Sequence, residues 1–366
     1  MILPGSYFFS LILLILSLLC LGSWANTLKL AGPKWRFELY SYDFAIGVLL
    51  ATLIIAFTFG SLGLDGFTVM DDLALAGRRQ DAFALAGGCF FCLGNIMILA
   101  AISMVGMSVA LPLGLGIAMV VGGLISNLVN PAANGVLLTA GSAAALAGAV
   151  FAVLACRQYL ATQAATAQAA TLLAAEEATA QNKPVTATKK KASKKKRASA
   201  RALLLAAIGG LVMGGFLPLV FLAQDGENGL GPYSTALIAA AGIAFSTFVY
   251  NLFFMNLPLQ GAALEFGQYF ATPATDHLSG IAGGSIWFGG AVLSLVAARA
   301  EGSAHPGPAL TAGFWQGASV VGALWGLIFW KEFAGAESNT RLYLGGMLLL
   351  STVGVVVMAL APVYRH

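Results

Sequence analysis

Long apolar runs broken by short polar connections dominate the chain, and each run has the length of a bilayer crossing. Ten are visible, at about 4–24, 43–63, 82–104, 107–129, 134–156, 202–223, 232–255, 278–298, 309–330 and 341–362. A helix needs about 20 apolar residues to span the hydrocarbon core. Backbone polar groups find no partner in lipid, so runs this long and this continuous predict helices rather than barrel strands. From Ala82 to Cys156 there is no Asp, Glu, Lys or Arg. The first run lacks a positive leading segment and its polar end, Gly22 to Asn26, offers no small-x-small cleavage site, so it is expected to be a membrane helix and not a cleaved signal.

One segment breaks the pattern. Ten of the nineteen Lys and Arg residues fall between Arg157 and Arg201. The chain thus divides into residues 1–157, a basic linker 158–201, and residues 202–366. With the N-terminus outside, the inner connections carry 15 Lys and Arg and the outer ones 4. Positive charge is retained in the cytoplasm, which predicts both termini outside and the basic linker inside a cell (inner) membrane. Ala-, Thr- and Gln-rich residues from Gln158 to Gln181 are expected to extend the fifth helix, and the lysine run after Pro184 is expected to be disordered. Those lysines are placed to lie against anionic lipid.

The two flanking halves share a pattern. Ala86-Gly87-Gly88 with Gly94 recurs as Ala282-Gly283-Gly284 with Gly290, Val120-Val121-Gly122 as Val320-Val321-Gly322, and Asn134 with Gly141 as Asn339 with Gly346. The offsets are 196, 200 and 205, rising in order as loop differences accumulate. Five helices is an odd number, so a second copy must enter the membrane upside down. The expected fold is an all-α integral membrane protein of ten transmembrane helices in two inverted five-helix repeats, the plan of secondary transporters with substrate between the repeats.

Composition agrees: 59% of residues are hydrophobic, 9% charged, and the mean hydropathy is +0.85. A water-soluble fold is excluded, since soluble domains carry about 25% charged residues. The net charge of +4 resides in the linker, so it points to topology and not to nucleic acid. Cys20, Cys89, Cys92 and Cys156 sit in apolar runs without a His cluster, as buried small side chains would.

Several stretches resemble the ureide permeases of the drug/metabolite transporter superfamily. Leu21-Gly22-Ser23-Trp24 ends the first run as their LGTW does. Tyr42-Asp43, with Ile54 to Gly60 following, is similar to their second helix, and Ala86 to Asn95 to their third. Gln316 stands nine residues before Trp325-Gly326, and Glu332 follows in Trp330-Lys331-Glu332-Phe333, with similar spacings. Bacterial sugar–proton symporters, including rhamnose porters, share the ten-helix plan. The chain departs from the plant members at Leu113 and Gly114, where they carry an acidic residue. Residues 157–201 contain no glycine, so they lack the phosphate-binding loop found there in the plant proteins.

The resemblance implies a secondary-active transporter, not an enzyme, for a ureide or purine/pyrimidine-derived heterocycle, driven by proton symport. A sugar symporter, an exporter of amphipathic compounds, and a non-transporting scaffold or membrane enzyme remain as other readings. Polar side chains within spans face partners, water or substrate. The carboxamides of Asn95 and Gln316 suit amide or hydroxyl recognition, and Trp24, Trp287, Trp315 and Tyr250 could stack on a planar ring. The candidate proton-coupling groups are Asp43, Glu265 and Glu332, each of which could instead cap a helix or pair with a cation. His277, beside Asp276, is expected at the membrane surface, and Asn127, Asn130, Asn251 and Asn256 as cap or turn residues. No catalytic residue, metal or cofactor is expected. The expected partners are a small polar solute, protons and membrane lipid, with homodimerisation left open and no nucleic acid.

Overall fold

A computed structural model of the chain describes residues 1–32, 35–63, 66–129, 131, 133–180, 189–259 and 261–364, with backbone alone at 174–180, 189–198, 307–310 and 312. The described residues are helical with turns and no strand. The helices are α1 (Tyr7–Ser23), α2 (Asn26–Leu30), α3 (Phe37–Phe57), α4 (Val69–Leu75), α5 (Arg78–Val105), α6 (Met107–Val129) and α7 (Gly135–Ala180), then α8 (Lys189–Met213), α9 (Phe216–Ala223), α10 (Pro232–Asn256), α11 (Gly267–Phe270), α12 (Ala274–Ala298), α13 (Gly307–Leu324) and α14 (Ser338–Leu360). Among the described residues nine helices are long and apolar enough to cross a membrane. At the ninth predicted position α13 (Gly307–Leu324) passes directly into a π-helical turn at Trp325–Phe329.

Two crossings are broken. The first bends at Trp24 and Ala25 between α1 and α2, and the one predicted at 202–223 bends at Gly214 and Gly215 between α8 and α9. The second helix begins at Phe37, six residues before the apolar run suggested, because Glu38 is buried against Arg36 instead of marking a loop. The fifth extends through the Ala-rich segment as α7, 46 residues or about 70 Å long. The backbone is helical again from Lys189, contrary to the disorder expected of the lysine run; Lys and Ala are good helix formers. Residues 181–188 lie outside the described residues, as does Asn130.

Packing relies on close backbone approach. Helix α3 packs on α12 and α10, α5 on α10 and α8, α6 on α7, α8 and α13, α1 on α12 and α13, and α7 on α14. In lipid, helices associate through small residues that let backbones meet. A Cβ on Gly47 or Gly284 would strike the Ile281 or Phe44 carbonyl across α3 and α12, and one on Gly88 or Gly242 the Ala239 or Leu85 carbonyl across α5 and α10. Gly22 sits against Val321 and the Ala318 carbonyl of α13; Gly214 sits against Val121 and the Ala118 carbonyl of α6. All four cysteines are free thiols; Cys92 and Cys156 are buried, and Cys20 and Cys89 partly so.

Candidate functional site

Where these helices converge, an aromatic cage encloses a cavity of about 40 Å³. Phe91 of α5 stacks on Trp287 of α12 with ring centroids 3.9 Å apart and planes at 26°. Phe216 lies 5.5 Å from Phe91 and 6.1 Å from Trp315, and Trp315 stands nearly perpendicular to Trp287 at 6.4 Å. Phe216 reaches the cavity because the α8/α9 break restarts the helix at that residue. The Trp315 indole N–H donates to Ser294 Oγ, which fixes its ring. Leu115, Met119 and Met213 are among the aliphatic residues of the wall, and no charged side chain lines it among the described residues.

A second, smaller crevice of about 10 Å³ shares Met119 with the first and is lined by Gln316, Ser319 and Ser351. The Gln316 side-chain oxygen is buried without a hydrogen-bond partner. So is that of Asn95, one helical turn beyond Phe91 on the same face of α5. An unpaired buried amide costs about 1–3 kcal/mol, so both oxygens are positioned to gain from a donor. Trp24 is fully buried edge-on to Phe44 at 5.2 Å, outside the cavity wall, and its indole N–H is unpaired. Tyr250 is half-buried on α10 and also stands apart from that wall.

The three carboxylates have separate surroundings. Glu332 accepts from the Met107 N–H (3.0 Å), the Ser108 N–H (2.8 Å) and the Ser108 hydroxyl (2.5 Å), and pairs with Lys29. It therefore caps the N-terminus of α6, where the helix dipole favours an anion. Glu265 is exposed, ahead of α11. Asp43 is fully buried on α3. It accepts from the Tyr269 hydroxyl at 2.5 Å, and His277 Nδ1 lies 3.0 and 3.1 Å from its two oxygens. Burial, then the neighbouring Asp43 carboxylate, pushes the Tyr269 phenol far above its usual range, so it stays a donor. Trp35 packs edge-on to His277 at 5.0 Å, and Tyr269 at 4.6 Å.

Sequence reasoning thus named Trp287, Trp315 and Gln316 at the cavities but missed Phe91, Phe216, Met119 and Met213, which nothing distinguishes from ordinary core residues. It also missed His277 and Tyr269 as partners of Asp43. His277 stands in the first turn of α12, and its ring turns inward. Asn251, expected in a turn, is buried inside α10 and donates to the Glu38 carbonyl. Asn127 accepts from the Ala133 N–H, and Asn256 is the last residue of α10.

With nine bilayer-length helices among the described residues, packed around an aromatic cavity, the chain is a multi-pass membrane protein. It belongs to the ureide permease family, whose sequence profile matches residues 40–224, just over half of the chain. It is 34% identical over 125 residues to ureide permease 2 of Arabidopsis thaliana, covering 33% of this chain and 31% of that protein. It is 33% identical over 119 residues to ureide permease 5 of the same plant, covering 31% and 29%. The probable ureide permease A3 of Vigna unguiculata is 33% identical over 111 residues, covering 29% and 30%. The chain therefore spans about a third of the length of the curated relatives it matches. No solved structure matches it.

Proposed function

We propose that the chain is a proton-driven secondary transporter of a small, neutral, planar ureide or nucleobase-like heterocycle, held in the aromatic cavity. The observation that carries this reading is the cavity itself: four aromatic rings and no charge. Flat faces stack on flat rings, whereas a sugar would need several more donors and acceptors than this wall offers. A carboxylate-bearing ureide would lose its hydration without a counter-charge. Room for about three waters is too little for a ring compound, so binding requires the walls to part.

Paired contacts support two inverted repeats. The offset of 192 that carries Gly22 to Gly214 also carries Leu21 to Met213, and the offset of 200 carries Ala118 to Ala318 and Val121 to Val321. Under these shifts the contact of Gly22 with Val321 and Ala318 becomes that of Gly214 with Val121 and Ala118. Gly94 meets the Gly209 carbonyl and Met213, as Gly290 meets that of Ser17 and Leu21. The cavity wall follows the same exchange: Phe91 pairs with Trp287, Leu115 with Trp315 and Ala118 with Ala318. A site on the axis between repeats suits alternating access. On this reading both termini are outside and the basic linker is cytoplasmic.

The test is a thermal-shift screen of the purified protein against neutral and ionised ureides, nucleobases and sugars. Neutral planar rings should raise the melting temperature. A shift with rhamnose and none with any ring would overturn the reading.

A further inference from the structure

Helices α3 and α12 approach closely at Gly47, Gly280, Gly283 and Gly284, yet one buried acid is set into that contact. The Asp43 side chain is 1% exposed and the His277 side chain against it 21%, so the pair runs from a wetted imidazole to a dry carboxylate. Among the described residues no Lys or Arg pairs with Asp43. Arg36 and Glu38, on the same helix, bond to each other. Lys29 of α2 is held by Glu332. Tyr40 is hydrogen-bonded to Thr27, Tyr269 of α11 is a donor to Asp43, and Asp276 precedes His277 in the first turn of α12. His277 is thus the group that can exchange a proton with Asp43.

A packing role does not account for the pair, because the equivalent interface between α5 and α10 closes without it. The offset of 195 that carries Gly47 to Gly242 and Phe44 to Ala239 carries Asp43 to Ile238. The offset of 196 that carries Gly88 to Gly284 relates Ala84 to Gly280. Ala84 and Ile238 pack together in an apolar cluster. At Gly280 the absent Cβ leaves the space that Asp43 occupies, with its carboxyl carbon 3.3 Å from where a methyl would sit. The acid was therefore accommodated at one of two otherwise matching interfaces.

Its neighbour in sequence joins it to the cavity. The Phe44 ring lies 6.4 Å from Phe91 and 6.4 Å from Trp287, the two stacked rings of the wall. Any shift of α3 against α12 moves that ring against the substrate site.

We propose that Asp43 and His277 form the proton-binding site of the transport cycle, with Tyr269 orienting the carboxylate and Phe44 relaying its state to the aromatic cavity. This rests on the proton-driven reading above. A proton taken up by His277 while the cavity opens outward passes to Asp43, neutralises the buried charge and lets α3 move; once the cavity opens inward the proton leaves through His277 to the inner side, which resets the carrier.

The experiment uses the purified full chain in liposomes, with radiolabelled allantoin and uracil as probes. With one proton per solute, an inward gradient of one pH unit drives about tenfold accumulation of whichever probe the wild type carries. Asp43→Asn mimics the protonated acid and cannot release a proton. It should only equilibrate the probe, about onefold, while gradient-free counterflow stays within about twofold of wild type. His277→Gln, which cuts the proton path and leaves Asp43 charged, should lose accumulation and counterflow together, and Asp43→Asn added to it should restore counterflow. Accumulation by Asp43→Asn at the wild-type level would overturn the proposal and leave symport standing, whereas no accumulation by the wild type overturns both. Loss of counterflow in both variants would assign the pair a structural role and overturn the proposal too.

Discussion

Two buried amides stand without hydrogen-bond partners for their oxygens close to a cavity whose wall is aromatic and aliphatic. Gln316 and Asn95 each bury a carbonyl oxygen without a donor, at and beside the cavities. A ligand N–H reaching Gln316 would gain about 0.5–1.5 kcal/mol. Gln316→Leu, which keeps volume and removes the amide, should therefore weaken substrate binding by up to about tenfold while the melting temperature holds or rises. Isothermal titration and a thermal melt check the two arms; a fall in melting temperature with affinity intact would give the residue a structural role. Both amides were legible in the sequence because polar groups are rare in these spans. The aromatic partners were legible only in part: Trp287 and Trp315 stand out by type, whereas Phe91 and Phe216 are two of 23 phenylalanines. The partners of Asp43 were not legible, since a contact between residues 43 and 277 leaves no local signature.

Helix boundaries followed the apolar runs and failed where polar residues lie inside a helix or open one. The start of α3 was hidden by the buried Arg36–Glu38 pair. The seven-residue α4 was invisible because its signal is a capping box between Thr68 and Asp71, not an apolar run. Glycine is the element-scale determinant, and its positions are not equivalent. Gly284 admits the Phe44 carbonyl, while a Cβ on Gly289, on the same helix, would meet nothing within 4 Å. Gly284→Ala should cost about 1–3 kcal/mol by forcing α3 from α12. Gly289→Ala should be neutral or slightly stabilising, since alanine is the better helix former. Thermal melts of the two variants in detergent compare them directly, and equal effects would contradict the packing account.

On the scale of the whole molecule, the basic segment and the repeated glycine spacings suggest two halves, a reading that the matched glycine contacts support. What the sequence withheld was where the halves meet. The cavity wall draws on both sides of the basic segment, Leu21 and Met213, Ala118 and Ala318 among them, which nothing local in the sequence brings together. The proposed positive-inside orientation predicts that a cysteine at exposed Ala169, in the extension of α7, reacts with an impermeant maleimide only from the cytoplasmic face. Labelling from outside would invert the topology. The central claim is that solute and proton cross together through the cavity between the halves. Uptake of labelled allantoin and uracil into liposomes, with and without an inward proton gradient, tests it most directly. The account predicts about tenfold accumulation of at least one probe per pH unit, abolished by collapsing the gradient. Uptake that stops at equilibrium for both probes whatever the gradient would contradict it.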